Sequence, residues 1–250
     1  YKHVNSPEYR MYMSRQIFEE ALHVQFYKSL LDNYVQDPIE RMNAYNAIQT
    51  IPSVKAKADF CFKWMDQMES IDKLDTDEKK KTFLMNLITF ASAVEGLFFF
   101  GAFAYVYYLR SRNLLHGLAS GTNWVFRDES FHMEVAFKVI DVVRAEYPQL
   151  WDKDMESRIY AMIEEAIQCE YQFAKDVLDV GVAGMNSKDM LEYLQYLGNQ
   201  RLTRLGLAKA YTANNPFYFM ELQDVAENTN FFERTVSAYS IGTISTHTDN

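Results

Sequence analysis

Two short motifs in this sequence would each place a carboxylate and an imidazole on one face of a helix. They are Glu20-x-x-His23 and Glu129-x-x-His132. Residues three apart on a helix share a face, and both motifs lie among apolar residues, where an unpaired glutamate is costly to bury. Because the chain has only five histidines, two copies of the motif favour a shared metal site over a chance match.

A third carboxylate lies where a charge needs a partner. Glu95 is the only acidic or basic side chain in the apolar stretch from 88 to 109, so it must be paired or protonated if that stretch is buried. A metal ion would serve as the partner, and so would a buried arginine or lysine. Helical di-metal bundles use one carboxylate from each of two helices and a Glu-x-x-His from each of two more. Three of those four helices are present, and the fourth carboxylate is predicted to precede Tyr1.

Each of these residues also has an interpretation without a metal. Glu20 could be a surface residue, and its neighbour Glu19 is an equal candidate by composition. Only the three-residue offset to His23 selects Glu20. A single buried histidine is more often hydrogen-bonded than metal-bound. A bundle without a metal would leave Glu95 buried without a cation, whereas the di-metal hypothesis accounts for all the candidate residues at once.

The elements that would position these residues are helical. Gly and Pro number only 9 and 5 in 250 residues, which favours helices over a turn-rich sheet. Apolar residues such as Met11, Ile17 and Leu22 recur at roughly helical spacing in the first segment. Helices are predicted at about 7–34, 38–49, 52–70, 112–144, 153–180 and 187–212, with an irregular remainder. Another helix begins at about 76, and the apolar stretch 88–109 is also predicted to be helical. We expect one all-α domain over 1–250, lacking its native N-terminal region and C-terminal tail.

Composition and charge argue against several classes of protein. A net charge of −9 is atypical of a nucleic-acid-binding protein, which would show a basic face. Two cysteines, Cys61 and Cys169, cannot build a disulfide framework, and no cleavable signal is visible, so the cytoplasm is the default location. The apolar stretch 88–109 is long enough to cross a membrane. We expect it instead to be the central helix of a bundle, apolar on all sides because it is buried on all sides.

These residues resemble the small subunit of class I ribonucleotide reductase, over nearly the whole chain. Ser6-Pro7-Glu8 leading to Glu20-x-x-His23 is similar to the family's first ligand helix, and Val94-Glu95-Gly96 is similar to the next. The run Arg127-Asp128-Glu129-Ser130-Phe131-His132 resembles the family's second Glu-x-x-His motif.

Two later segments also resemble the family, and they are not expected in ferritins or bacterial monooxygenases. They are Asn215-Pro216-Phe217 and Asn230-Phe231-Phe232-Glu233. The resemblance implies a ferritin-like helical bundle with a dinuclear site in its core, holding two iron or manganese ions per chain. Its implied metal ligands are Glu20, His23, Glu95, Glu129 and His132.

The resemblance also implies roles around the metal ions. Asp128 would accept a hydrogen bond from His23 and fix its tautomer. Tyr27 falls four residues after His23, where the family carries its radical tyrosine. Phe99, Phe103 and Val125 would wall off Tyr27 in a dry pocket that protects a tyrosyl radical.

The sequence departs from the family pattern at both ends. The first carboxylate ligand and the upstream tryptophan of the electron-transfer path have no counterpart, and no tail tyrosine follows Ile244. Tyr239 is too early for that role. Gln16 occupies a place where some relatives carry tryptophan.

The implied function is that of the small subunit of ribonucleoside-diphosphate reductase. An oxygen-activated metal pair would generate a one-electron oxidant, held as a tyrosyl radical at Tyr27 or as a high-valent metal. A large catalytic subunit would use it to reduce ribonucleotides. A homodimer is implied, with no nucleic-acid or membrane partner. The alternatives are a ligand-binding di-metal oxidase or monooxygenase of the same fold, and ferritin-type iron storage.

Overall fold

The computed structural model describes residues 3–65, 68, 70–178 and 184–220, and all regular elements in these ranges are helical. They are α1 (Pro7–Tyr34), α2 (Pro38–Tyr45), α3 (Ala47–Thr50), α4 (Pro52–Met65), α5 (Asp77–Thr89), the π-helical segment Phe90–Phe99, α6 (Phe100–Ser111), α7 (His116–Glu146), a 3-10 turn (Pro148–Leu150), α8 (Lys153–Leu178) and α9 (Ser187–Arg204). This confirms the predicted all-α class. The single domain over 1–250 stays a prediction.

Local start signals set the first two helices. The Ser6 hydroxyl accepts a hydrogen bond from the Tyr9 backbone N–H at 3.3 Å, and Asp37 accepts from two N–H groups at the start of α2. A proline follows each cap, at a position where its missing N–H costs nothing. The bounds of α1 match the prediction. The second predicted helix is wrong in extent, because it breaks at Asn46 into α2 and α3.

Helix α1 buries polar side chains and exposes apolar ones. Within the described part of the chain, its buried residues are Gln16, Glu19 and His23, whereas Met11 and Ile17 are 75% and 60% exposed. The apolar spacing therefore predicted the helix correctly without indicating its buried face. Polar groups can occupy that face because each finds a partner there.

The helices α5 and α6 and the π-helical segment between them form one continuous run, Asp77–Ser111, through the middle of the bundle. Among the described residues it is the one helix long and apolar enough to cross a membrane by length and composition, yet 72% of its most apolar window is buried inside the protein. It packs against α7, α8 and α9. The run is thus a central core helix, as expected.

Helices α8 and α9 close the bundle around that central run. Apolar residues recur every three or four positions along α8 and are fully buried, a pattern typical of a helix facing a core: Met155, Ile159, Met162, Ile163, Ala166 and Ile167. Helix α9 ends at Arg204, and the prediction that it continues to 212 is wrong. Gly206 adopts φ +77° and the Leu207 N–H bonds the Leu202 carbonyl at 2.9 Å, a left-handed turn that terminates a helix.

Candidate metal centre

Three helical elements bring the predicted ligands to one place. Helix α1 carries Glu20 and His23, the π-helical segment carries Glu95, and α7 carries Glu129 and His132. All of these except His23 offer ligand atoms that lie within 4.8 Å of one another. His23 joins the group through its Nδ1 atom, which lies 3.1 Å from Glu129 Oε1.

Two glutamates each divide their carboxylate oxygens between the two histidines. Glu20 places Oε2 3.5 Å from His23 Nδ1 and Oε1 3.3 Å from His132 Nδ1. Glu129 places Oε1 3.1 Å from His23 Nδ1 and Oε2 3.5 Å from His132 Nδ1. Carboxylates in this arrangement can bridge two cations, each of which would also receive one imidazole nitrogen.

Glu95 completes the cluster from the central run. Its side chain is 1% exposed. Burial raises the pKa of Glu95 to about 9, and the charge of Glu129 adds to the effect. Glu95 Oε1 accepts a hydrogen bond from Gln16 Nε2 at 3.0 Å and lies 3.7 Å from His132 Nδ1. A cation here would replace the proton that Glu95 otherwise holds at neutral pH.

Both histidines have a carboxylate at Nε2, which leaves Nδ1 directed into the cluster. The Nε2 atom of His23 lies 3.2 Å from Asp128 Oδ2, and that of His132 lies 3.0 Å from Glu19 Oε2. Burial alone would lower the pKa of each histidine, but the surrounding carboxylates outweigh it and raise the pKa of both to about 10. Histidines that bind metals are held in this way through their second nitrogen.

Several buried polar atoms in the cluster have no hydrogen-bond partner among the described residues. They are Nδ1 of His23 and of His132, Oε2 of Glu95, and both carboxylate oxygens of Glu129. Buried polar atoms without partners are costly, so a set of them converging on one space fits cations better than a metal-free core. Carboxylate oxygen and imidazole nitrogen are donors that suit iron and manganese.

Tyr27 lies one helical turn beyond His23 on α1, beside a cleft of about 360 Å³. Tyr45, Phe99 and residues of α1 line this cleft. The α1 residues include the predicted ligands Glu20 and His23. Burial raises the pKa of Tyr27 to about 12, and the charge of Glu129 acts in the same direction. The phenol is therefore protonated at neutral pH and lies within the electrostatic reach of the cluster.

The residues predicted to surround Tyr27 lie in two places. Phe99 lines the cleft with Tyr27, and its ring centroid is 6.1 Å from that of Phe103. Phe103 and Val125 are 1% and 2% exposed and belong to the buried cluster against which Tyr27 packs. Phe126, which the sequence analysis did not single out, packs on Phe103 with 5.2 Å between centroids. Tyr27 itself is half-buried beside the cleft, and the dry pocket around it stays a prediction.

The motif spacing selects Glu20 over Glu19 and predicts no role for Gln16 in the cluster. Both residues contact a predicted ligand directly: Glu19 contacts His132, and Gln16 contacts Glu95. A signal for Glu19 was present, because an acidic residue immediately precedes the glutamate of both Glu-x-x-His motifs. Asp128 is the other such residue.

The sequence pattern does not predict the π-helical segment either. Such segments are rare and are frequent at functional sites, and this one contains Glu95. Beside it, Arg201 of α9 donates from Nε to the Gly96 carbonyl at 3.0 Å. A Cβ on residue 96 would lie only 2.7 Å from that Nε atom, so glycine permits the close approach of the arginine.

Of the two late segments that resemble the family, the structure describes the first and not the second. Phe217, in Asn215-Pro216-Phe217, is buried, with its ring centroid 5.2 Å from that of Tyr193. The segment Asn230-Phe231-Phe232-Glu233, Tyr239 and the irregular remainder predicted beyond 220 lie outside the described residues.

Comparisons with known proteins agree on one family. The family model for the ribonucleotide reductase small chain matches residues 1–216. The beta subunit of ribonucleoside-diphosphate reductase from Chlamydia pneumoniae is 32% identical over 96% of this chain and 69% of its own length. The human subunit M2 of the same enzyme is 34% identical over 99% of this chain and 59% of its own length. The chain thus spans roughly two thirds or less of the length of these relatives.

A solved structure shows the same architecture. A ribonucleotide reductase homodimer from Saccharomyces cerevisiae superposes with a TM-score of 0.70 at 25% identity, covering 90% of this chain and 66% of that one. This likeness confirms the ferritin-like helical bundle. With a family model that matches most of its length and relatives about one third identical, the chain belongs to the ribonucleotide reductase small-chain family.

Proposed function

We propose that this chain is the radical-generating small subunit of a ribonucleoside-diphosphate reductase. The observation that carries the proposal is the pairing of His23 and His132 across two shared carboxylates, with Tyr27 one helical turn beyond His23. Dinuclear metal centres are a property of this family. The buried nitrogen and oxygen atoms of this cluster that lack hydrogen-bond partners fit such a centre.

The proposed ligand set divides between two ions. Glu20 and Glu129 would bridge them, His132 and Glu95 would hold one ion, and His23 would hold the other. The oxygen and nitrogen donors suit either iron or manganese. Asp128 would keep the proton of His23 on Nε2 and its Nδ1 lone pair available, which is how outer carboxylates orient metal-binding histidines.

Tyr27 is the proposed carrier of the oxidising equivalent. When bound, two iron or manganese ions activated by dioxygen would supply a one-electron oxidant for Tyr27, or would hold that equivalent themselves. The Tyr27 phenol is protonated at neutral pH, so its oxidation requires the loss of a proton together with the electron. Glu20 and His23 line the same cleft as Tyr27, and carboxylate or solvent there can receive that proton.

The proposed partner is the large catalytic subunit, which would use the oxidising equivalent to reduce ribonucleotides to deoxyribonucleotides. A homodimer of the small chain is also proposed. Helix α1 exposes Met11, Phe18 and Leu22 by 75%, 62% and 45%. Their spacing of seven and four residues places them on one face of the helix, and apolar residues grouped on one face are typical of an interface. The proposed location is the cytoplasm, without a nucleic-acid or membrane partner.

Reconstitution of the full-length protein tests this function. The protein would be loaded with iron or manganese under dioxygen and combined with the large subunit of its own organism. We expect deoxyribonucleotide formation that requires both subunits. A metal-loaded protein that oxidises a long-chain hydrocarbon or fatty acid, and leaves the large subunit inactive, would instead identify a di-metal oxidase that uses the cleft beside Tyr27. Mineral loading in a cage-like assembly would identify an iron store.

A further inference from the structure

We propose that Glu19 is a positioning residue for His132, and that it fixes the imidazole so that Nδ1 is available to a metal ion. Glu19 Oε2 lies 3.0 Å from His132 Nε2. Both side chains are buried, Glu19 at 7% exposure and His132 at 0%. The inference rests on the proposed metal centre, and it adds a residue that the Glu-x-x-His motif does not contain.

The contact selects one of the two neutral forms of the imidazole. A carboxylate accepts hydrogen bonds, so Glu19 holds a proton on Nε2 of His132 and leaves the Nδ1 lone pair free for a cation. The Nδ1 atom lies 3.3 Å from Glu20 Oε1 and 3.7 Å from Glu95 Oε1. The nitrogen that must carry no proton in a metal complex is therefore the one that faces the carboxylate cluster.

An arginine holds Glu19 in place. Arg15 Nε, one turn earlier on α1, donates to Glu19 Oε1 at 2.8 Å, which leaves Oε2 for His132. The Arg15 side chain is 62% exposed and Glu19 is nearly enclosed, so the charge of the buried carboxylate is balanced from the protein surface.

The same arrangement exists around the other histidine. Asp128 Oδ2 contacts His23 Nε2 at 3.2 Å, and Asp128 Oδ1 accepts from Arg127 at 2.8 Å. Each Glu-x-x-His motif is thus preceded by an acidic residue that contacts the histidine of the other motif. This reciprocity gives Glu19 the same geometric role that Asp128 has, on the opposite side of the centre.

Manganese binding to the full-length protein tests the role of Glu19 without measuring turnover. Free Mn(II) would be followed by electron paramagnetic resonance during titration of the wild type, Glu19→Ala and Glu19→Gln. We expect Glu19→Ala to weaken the binding of one ion by about 10- to 100-fold and to leave the affinity for the other ion near its wild-type value. Glu19→Gln should retain most of the affinity, because its amide oxygen can still accept from Nε2.

The matched variant is Asp128→Ala, which should weaken the other ion by a similar factor. Thermal unfolding of the metal-free variants separates positioning from folding, and the Glu19→Ala midpoint should stay within a few degrees of wild type. Wild-type affinities for both ions in Glu19→Ala would overturn the role of Glu19 alone. Equally weakened binding of both ions in Glu19→Ala, together with a much lower unfolding midpoint, would show that Glu19 acts only in folding. That result would also overturn its positioning role. A wild type that binds no ion would overturn the metal centre and this inference with it.

Discussion

His23 and His132 face each other across the cluster, with ring centroids 6.2 Å apart and planes tilted by 38°. Their Nδ1 atoms lie near different oxygens of the same two carboxylates, those of Glu20 and Glu129. Two cations held by these nitrogens would be neighbours that share both glutamates. The pairing explains why the two Glu-x-x-His motifs, more than a hundred residues apart, belong to one site.

Loss of a bridging carboxylate should affect both ions. We expect Glu129→Gln to weaken uptake of the two metals together, by at least about tenfold, because an amide cannot replace a charged bridging ligand. Metal content per chain by mass spectrometry, at increasing supply of iron or manganese, measures the effect. Glu134→Gln on the same helix is the control, since Glu134 is a surface residue near Lys138 and Arg204. Loss of only one ion in Glu129→Gln would contradict the bridging role.

Substitution of Tyr27 should remove the radical and spare the metals. We expect Tyr27→Phe to bind both ions and, after exposure to dioxygen, to lack the tyrosyl signal in electron paramagnetic resonance. Tyr45→Phe is the matched control, because Tyr45 lines the same cleft and donates its hydroxyl to Asp32 at 3.0 Å. A tyrosyl signal that survives in Tyr27→Phe would assign the radical to another tyrosine. A wild type with a metal-centred signal alone would place the oxidising equivalent on the metals.

Metal affinity should rise with pH. In the metal-free protein the pKa values of His23 and His132 are raised to about 10 and that of Glu95 to about 9, so each holds a proton at pH 7. Cations must displace these protons, and we expect release of about three protons per two ions at neutral pH. Calorimetric titrations in buffers of different ionisation enthalpy measure the release. Uptake with no proton release, or affinity that falls between about pH 6 and pH 9, would be incompatible with this account.

A buried ion pair away from the centre should matter for stability. Glu170 of α8 is fully buried and pairs with Lys57 of α4, whose ammonium lies 3.9 Å from the Phe173 ring centroid. Burial raises the pKa of Glu170, and the charge of Lys57 opposes that effect. We expect Lys57→Met to lower the free energy of unfolding by roughly 3–5 kcal/mol, because it leaves a buried carboxylate without its cation.

The double variant Lys57→Met/Glu170→Met should recover most of that loss in urea denaturation. Lys63 and Glu165 join the same two helices at 2.6 Å, but the lysine is 60% exposed, so Lys63→Met is the control and should have a several-fold smaller effect. Equal losses for Lys57→Met and Lys63→Met would show that burial of Glu170 carries no special cost.

The sequence was informative where the relevant signal was local. The three-residue offset within each Glu-x-x-His motif places both side chains on one helix face, and the apolar surroundings of Glu95 indicated a buried charge. Helices α1 and α7 and the central run followed from proline, capping residues and hydrophobic spacing. These features depend on neighbours within a few residues.

Other features depended on contacts between distant segments. Glu19 and His132 are 113 residues apart in sequence. The acidic residue before each motif marks Glu19 as a candidate, but local spacing does not show which distant side chain it contacts. The outer face of α1 exposes Met11 and Ile17, so its apolar residues do not point to the described core. The π-helical segment around Glu95 packs against α7, α8 and α9, and hydrophobic periodicity does not distinguish such a segment from an α-helix.

Anomalous diffraction from crystals of the manganese-loaded full-length protein would locate the ions themselves. We expect two ion peaks per chain, one beside His23 Nδ1 and one beside His132 Nδ1, with Glu20 and Glu129 near both. Peaks absent at saturating manganese, or confined to surface carboxylates away from the two histidines, would contradict the proposed dinuclear centre.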